Sequence, residues 1–490
     1  MAMKKALLSI ALVLSILMVF PHNVKASETK TVLYLDYGDI KISEDSITGY
    51  DQKGSLVTKV NSAGYTITQF NPNTALNKSI TIASGSQDIE IENINIARTD
   101  ENGYALCVLK NTTAIITIKG ENHLVAGTYR AGIDIAVSAT VTIKGNGTLY
   151  AQSELEAGIG GGSGRSNGTL VIDSGTIYAT GGLDGYSAGI GGGSSGKGGN
   201  ITINGGTVVA VGGAYAAGIG GGNLSSGGTI TINGGTVTAV GGANGAGIGG
   251  GFAANGGNIT INGGSVKATA GTGAENIGKG YKCSTAFTGI YNSKGNVVSL
   301  LKIPITDFET VYQNGINNPP ITTSHVDDEC LYFYTDSSNN IATVYMNDGS
   351  VNFIEYNVNG YKEIFPYTNE DERFLDYLIA SDIESSSVIS GFSLEKIGDS
   401  FELKKDNMCV DTFKFAQRGD VNLDGIIDGT DAVVATCIEN GMLSDTLKFK
   451  LADINADQTV NSEDIEKMNR EGLLLGSFFY ILVVVDKIIF

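Results

Sequence analysis

The chain has 490 residues, with 68 Gly, 6 Pro, no Trp, 3 His and 5 Cys, and 51 acidic residues against 32 basic ones. Glycine without matching proline excludes a collagen-like chain, and the Ile, Val and Thr between the glycines exclude generic disorder. A net charge of −19 argues against a nucleic-acid partner, whose phosphates demand a basic face.

Residues 1–26 read as a signal peptide, with Lys4 and Lys5, an apolar run from Ala6 to Phe20, and small residues at Val24-Lys25-Ala26. The 15-residue run falls short of the roughly 20 residues a spanning helix needs, so a membrane anchor is not expected. The prediction is a secreted protein, extracellular or at the cell surface. Cys107, Cys283, Cys330, Cys409 and Cys437 are odd in number and far apart, so they form no readable disulfide framework or zinc pattern. They read as small buried hydrophobes.

Residues 151–280 hold 44 of the 68 Gly and repeat. AGIGGG begins at Ala157, Ala188, Ala217 and Ala246, with a degenerate ENIGKG at Glu275, at spacings of 31, 29, 29 and 29. Between them TLVIDSGT, NITINGGT, TITINGGT and NITINGGS recur at the same step. A fixed period in this range signals a solenoid, and β-branched residues alternating with period two between Gly pairs make each repeat a coil of short strands. Stacking then predicts internal ladders of Ile203, Ile232 and Ile261 and of Ile159, Ile190, Ile219, Ile248 and Ile277. Asn204, Asn233 and Asn262, with Asp173 in the equivalent place, are expected to stack at a corner, amide to amide. The same grammar runs upstream through Val141–Ile143, Ile116–Ile118 and Ile80–Ile82. We therefore assign residues 27–299 to a parallel β-helix of eight or nine coils, a rod on the order of 40 Å long at about 4.8 Å per coil.

These phrases, AGIGGG and ITINGGTVTA, resemble a family of secreted bacterial β-helix proteins described as carbohydrate-binding domains. That resemblance implies glycan binding. Right-handed β-helices also include polysaccharide lyases and hydrolases, which need clustered carboxylates with a Lys or Arg, or two facing carboxylates. The one dense acidic strand carries Asp88, Glu90 and Glu92, pointing outward together because Ile89 and Ile91 alternate with them. With Arg98, Asp100, Glu101, Lys119 or Lys144 these form a candidate glycan or calcium site, although outward strand positions are polar by default and a solvated face is the simpler account. A binder is thus the leading reading, and a polysaccharide lyase or glycoside hydrolase the alternative. A structural or adhesive spacer is a third. Residues 27–280 hold 18 acidic and 14 basic residues, near enough to neutral to accept neutral glycans.

Residues 300–415 lose glycine and gain aromatics, marking a small β-rich middle module. Cys330–Tyr334, Ile341–Met346 and Val351–Tyr356 read as strands, with a turn at Asn347-Asp348-Gly349 and a second hairpin at Gly398-Asp399. Tyr332, Tyr334, Tyr345, Phe353 and Tyr356 are expected in its core rather than on a sugar-stacking face.

The strongest chemical pattern lies in residues 416–472. Asp420, Asn422, Asp424, Asp428 and Asp431 occupy loop positions 1, 3, 5, 9 and 12 with Gly425 at position 6, the spacing of an EF-hand calcium loop. Asp453, Asn455, Asp457, Asn461 and Asp464 repeat the pattern 33 residues later. Alternate residues of such a loop point oxygen inward, and the carbonyls of Ile426 and Thr459 fill position 7, so two Ca²⁺ sites are predicted. Gln458 stands at position 6 of the second loop, where a positive φ is wanted.

Two such loops, with Asp at position 12 and a helix only after each loop, resemble a type I dockerin of bacterial cellulosomes, a small all-α module. The resemblance implies a cohesin partner on a scaffold protein, contacted through Gly429, Thr430, Ser462 and Glu463 at loop positions 10 and 11. The family commonly carries hydroxyl pairs there, from which Gly429 and Glu463 depart. Residues 473–490 form an apolar tail that a dockerin does not need, and its 14-residue run from Gly472 to Val485 is too short to span a membrane. The composite expectation is a mainly β, secreted cellulosome component that binds plant-wall polysaccharide.

Overall fold

Alternating Ile and Val can bury one face of a strand only if successive coils stack in register, and they do. The computed structural model describes residues 29–182, 185–322, 330–367, 373–374, 376–379, 388–397 and 400–470. The predicted signal peptide, the apolar tail and the 398–399 hairpin tip lie outside the described residues. Three parallel sheets wind into the solenoid, contributed in turn by each coil. Seven coils have all three strands, from Ser86–Glu92, Asn95–Ala97 and Leu106–Val108 to Asn258–Ile261, Ser265–Thr269 and Ile277–Gly278. Two earlier coils lack the second strand and supply Thr31–Tyr34 and Tyr65–Thr68 to the first sheet and Ile40–Ile42 and Ile80–Ile82 to the third.

The predicted ladders are internal. Ile203 pairs in register with Ile232 and Ile232 with Ile261, and all three are fully buried. Ile159, Ile190, Ile219 and Ile248 form the second ladder, also fully buried. The corner ladder forms too: Asn204 donates to Asp173, Asn233 to Asn204 and Asn262 to Asn233, each at 2.7 Å. The Ser293 N–H caps it on Asn262 at 2.7 Å. Glycine is required where coils approach most closely. Gly220 has φ 135°, and a Cβ there would lie 2.1 Å from the Gly249 carbonyl oxygen. Earlier coils carry Thr81, Cys107 and Asp134 at this register position, which is why the AGIGGG phrase fades upstream.

The middle module is a pair of packed β-sheets. One runs Ile321–Thr322, Phe308–Gln313, Asn340–Met346, Val351–Asn357 and Gly360–Ile364, and the other Arg373–Phe374, Tyr377–Ile379, Met408–Ala416, Ser400–Lys405 and Phe392–Ile397. Ile341, Val351 and Phe353 of the first meet Leu378, Leu403, Val410 and Phe413 of the second. The other face of the first sheet is covered by the antiparallel pair Ser299–Pro304 and Cys330–Thr335. Phe353 and Tyr356 are buried, and Tyr334 packs against the solenoid core.

This module also closes the end of the rod. Tyr332 N–H donates to Ser265 of the last coil at 3.1 Å, and Gln313 accepts from Gly264 N–H at 2.5 Å. An open solenoid end presents unpaired strand edges, so such cover protects it from edge-to-edge association. Asp336 clasps the turn after the last coil, accepting from Asn296 at 2.7 Å and Asn292 at 3.0 Å. The Asn296 bond, ahead of those from Ser338 and Asn292, lowers its carboxyl from 3.8 to about 2. A depressed carboxyl stabilises the fold above its ordinary value, and that contribution fades as pH falls from 3.8 through about 2. Asp336→Asn is expected to lose the contribution at neutral pH and to flatten the acid-unfolding curve in that window. A curve of unchanged shape would show that the clasp is idle.

The C-terminal helices are α1 (Gly429–Glu439), α2 (Thr446–Ala452) and a third over residues 462–470. Phe374, Ile379 and Ala416 of the middle module share one core with Val421, Ile427, Ala432, Leu451 and Met468. Among the described residues all five cysteines are free, with Cys107 and Cys330 buried and the other three half-buried rather than buried as expected. No helix among the described residues is long and apolar enough to cross a membrane.

Candidate calcium loops and outer faces

The first acidic loop is wound by its own side chains. Asp420 accepts the N–H groups of Asp424 at 3.1 Å and Gly425 at 3.0 Å, and Asp424 accepts that of Ile426 at 2.9 Å. Leu423 and Gly425 make the turn at φ 63° and 86°. Asp431 closes the loop, accepting from Val421 (2.7 Å) and Asn422 (3.0 Å) on one oxygen and from Asp428 (2.8 Å) on the other. Asp428 caps α1 by accepting Thr430 N–H at 2.7 Å, so Asp428 and Asp431 form a reciprocal capping box. One carboxylate therefore fixes both the loop and the helix that leaves it.

The second loop repeats this wiring. Asp453 accepts from Asp457 (3.0 Å) and Gln458 (2.8 Å), and Asp457 accepts Thr459 N–H at 2.9 Å. Asp464 accepts from Ile454 (3.0 Å), Asn455 (3.4 Å) and Asn461 (3.1 Å), while Asn461 caps the third helix through Glu463 N–H at 2.8 Å. Gln458 takes the turn that Gly425 makes in the first loop, at φ 69°. A left-handed conformation costs an L-residue about 1 kcal/mol or more. Gln458→Gly is therefore expected to lower the Ca²⁺ midpoint for folding of the second loop about fivefold. An unchanged midpoint in a Ca²⁺ titration followed by circular dichroism would show that the strain is relieved elsewhere.

The electrostatics of both loops call for a cation. Asp420, Asp431, Asp453 and Asp464 are all buried, and among the described residues none pairs with Lys or Arg. Burial, reinforced by the charges of Asp431 and Asp424, holds the Asp420 carboxyl above its usual range. The Thr430 and Thr459 hydroxyls hold Asp428 and Asp457 below theirs. Among the described residues no three His, Cys, Asp or Glu side chains converge as a metal cluster. The donors here are instead a mixture of carboxylates, Asn amides and backbone carbonyls, an all-oxygen set that suits a hard divalent ion. Gly429, Thr430, Ser462 and Glu463 are exposed at the starts of their helices. Ile426 and Val433 are also exposed, by 54% and 64%, which extends the first face with apolar surface.

On the solenoid, Asp88, Glu90 and Glu92 do share one outer strand face, with Ile89 and Ile91 fully buried behind them. Lysines hold two of the three: Lys30 pairs with Asp88 at 2.5 Å and Lys119 with Glu90 at 2.9 Å. Arg98, Asp100 and Glu101 are not brought to this face. Arg98 and Asp100 line a separate surface groove with Thr128 and Glu154. Two other carboxylates, Asp134 and Glu156, sit under the glycine loops beside Arg165 but are 0% and 2% exposed, closed to a polymer. Burial pushes the Cys107 thiol up to about 12, far from a nucleophile's range.

The sequence reading missed two rows of rings on the outside. His123, Tyr150 and Tyr178 stack along the second sheet with centroids 4.6 and 4.8 Å apart, covering one another's faces. Tyr186, Tyr215, Phe252 and Tyr281 form a ridge on the loops beside AGIGGG, with successive centroids 5.3, 5.8 and 6.2 Å apart. The signal was available: 186 to 215 and 252 to 281 are both steps of 29 residues.

The solenoid and the paired acidic loops define a β-helix protein with a small helical C-terminal module. Comparison with family models agrees with that division. Residues 141–163, 170–194, 201–223, 230–252 and 259–278 match a beta helix repeat, and residues 418–471 match the dockerin type I domain. Type I dockerin domains bind calcium, and such a domain implies a cohesin partner. Comparison of the chain with curated proteins and with solved structures gives no match.

Proposed function

We propose that this is an extracellular polysaccharide-binding protein, carried on a cellulosome scaffold by a calcium-folded dockerin and contributing to plant polysaccharide breakdown. Two Ca²⁺ ions are held, one by Asp420, Asn422, Asp424, the Ile426 carbonyl, Asp428 and Asp431, the other by Asp453, Asn455, Asp457, the Thr459 carbonyl, Asn461 and Asp464. Bound there, the ion neutralises buried carboxylates and so stabilises the folded loops. The cohesin docks over Gly429, Thr430, Ser462 and Glu463.

The observation that carries the reading is the union, in one chain, of a dockerin match with a solenoid whose outer faces are long and regular. The dockerin supplies attachment and leaves the rod as the working part. Lysine pairing of Asp88 and Glu90 suits a binding or solvated face better than a catalytic one, because an acid or base must be free to reach substrate.

The test incubates the full chain with insoluble cellulose, xylan and cross-linked polygalacturonate in Ca²⁺ and reads both unbound protein and released reducing ends. Depletion from solution on at least one polymer, with no new ends, is the expected result. No depletion on any polymer sinks the binding reading, and new ends that vanish in an Asp88, Glu90, Glu92 triple-alanine variant would make the protein an enzyme.

A further inference from the structure

We propose that the ridge formed by Tyr186, Tyr215, Phe252 and Tyr281 is the strip on which an unbranched glycan chain lies, parallel to the solenoid axis. The proposal rests on the polysaccharide-binding reading above and names its site.

The ridge is not needed to build the coil. Tyr186 and Tyr215 stand two residues before their AGIGGG phrases, where other coils carry Leu155 and Asn244. Phe252 and Tyr281 stand just after the glycines, where other coils carry Ser163, Ser194 and Asn223. The backbone bond between the two positions forms with Ser, Asn or a ring in place, as in Ser163 N–H to the Tyr129 carbonyl at 3.3 Å, while Ser194 N–H turns instead to the Glu156 carboxylate at 2.9 Å. Asn223 N–H donates to the Tyr186 carbonyl at 2.6 Å, Phe252 to Tyr215 at 2.8 Å and Tyr281 to Asn244 at 3.0 Å. These two loop positions therefore meet at three successive steps, and across four consecutive coils one of the two holds a ring. Tyr186 is 46% exposed, and Tyr215 and Tyr281 are 37% exposed. Large aromatics left in solvent where Ser or Asn would serve mark a contact surface.

The occupant follows from spacing and from the character of the rings. Adjacent coils repeat every ~4.8 Å, and the rings they carry follow one another at 5.3, 5.8 and 6.2 Å between centroids. A globular protein surface has no such period, whereas a β-1,4-linked glycan advances by one sugar over a comparable distance. Sugars have C–H faces and a hydroxyl rim, and tyrosine matches that with an apolar ring and a polar edge. Tyr186 and Tyr215 stack at 27°, but Tyr215 and Phe252 meet edge to face at 87° and Phe252 and Tyr281 are tilted at 57°, so the ridge as a whole is not a closed stack like His123, Tyr150 and Tyr178. Lys282 lies over Tyr281 at 5.4 Å and Phe252 at 6.0 Å, placing a donor at one end for a sugar hydroxyl or carboxylate.

The test is affinity electrophoresis of the full chain through gels holding soluble β-glucan, xylan or polygalacturonate, with Ca²⁺ throughout. The variant combines Tyr186→Asn, Tyr215→Asn, Phe252→Ser and Tyr281→Ser, residues the fold already accepts at the equivalent places. Its far-UV circular dichroism and melting should match the parent, while its affinity falls at least tenfold in whichever gel retards the parent. The neutral and acidic gels tell which sugar class is bound. Equal retardation of parent and variant would overturn the ridge while leaving polysaccharide binding intact. A parent retarded in no gel would overturn both. Sedimentation equilibrium covers the remaining case, since a parent dimer that the variant turns into monomer would assign the ridge to self-association instead.

Discussion

Chelation of Ca²⁺ from the full chain is expected to melt the helices at 429–439 and 462–470 and to abolish cohesin binding. The cause is the burial of Asp420, Asp431, Asp453 and Asp464 with no Lys or Arg partner among the described residues. Backbone N–H groups offset only part of the cost of burying these like charges together, and a bound cation supplies the rest. The loss should spread beyond the dockerin, because its core includes Phe374, Ile379 and Ala416 of the middle module. Asp431→Ala is the sharper version in saturating Ca²⁺. It strips acceptors from the N–H groups of Val421, Asn422 and Asp428 and removes half of the α1 capping box. One of these donors is buried and two are half-buried, so at about 1 kcal/mol for each left unpaired the cost is about 2–3 kcal/mol before any lost ion is counted. Far-UV circular dichroism with and without EDTA checks both. Helix content indifferent to EDTA would mean the loops are ordinary acidic turns.

Arg373→Met is expected to cost about 3–5 kcal/mol, since it leaves a buried carboxylate without its partner. Arg373 and Asp411 are both fully buried side chains, paired through two bonds of 2.7 and 3.2 Å. The guanidinium also donates to the carbonyls of Phe374, Tyr377 and Thr412, and Tyr345 donates to Asp411 at 2.8 Å. All of this lies one residue from Phe374, which anchors the dockerin, so the variant should also loosen that contact. Replacing both partners, as Arg373→Met with Asp411→Leu, should recover much of the loss, because an apolar pair leaves no orphaned charge. Denaturant unfolding of the two variants separates the outcomes. Equal destabilisation of both would show that packing, rather than the unpaired charge, sets the cost.

Repetition made most of the rod readable. Ile203, Ile232 and Ile261 recur at a fixed step, and a fixed step in sequence becomes a fixed register in space. The Asn204, Asn233 and Asn262 ladder was legible for the same reason. Eight or nine coils were expected, whereas seven are complete, because the first two turn from the first sheet to the third without a middle strand. Helix α2 was hidden: Leu447, Phe449 and Leu451 alternate with Lys448 and Lys450, a period-two pattern that reads as a strand. The Asp445 cap, accepting Lys448 N–H at 2.9 Å, and the buried Leu451 and Ala452 outweigh it. The Asp88 group illustrates what spacing cannot tell. Alternation placed the three carboxylates on one face, but Lys30, which neutralises Asp88, lies 58 residues away in sequence. Arg98 and Asp100, close to the group in sequence, are turned to another surface by the intervening strand.

A chain that joins a scaffold to a glycan must hold both at once, and a single bridging experiment shows whether it does. A cohesin-coated resin is loaded with the full chain in Ca²⁺, washed, offered a labelled soluble polysaccharide from the same panel, and then treated with EDTA. Glycan should be retained only on resin carrying the chain, and EDTA should release protein and glycan together. Resin that captures the chain but holds no more glycan than bare cohesin would mean that the chain does not bridge the two.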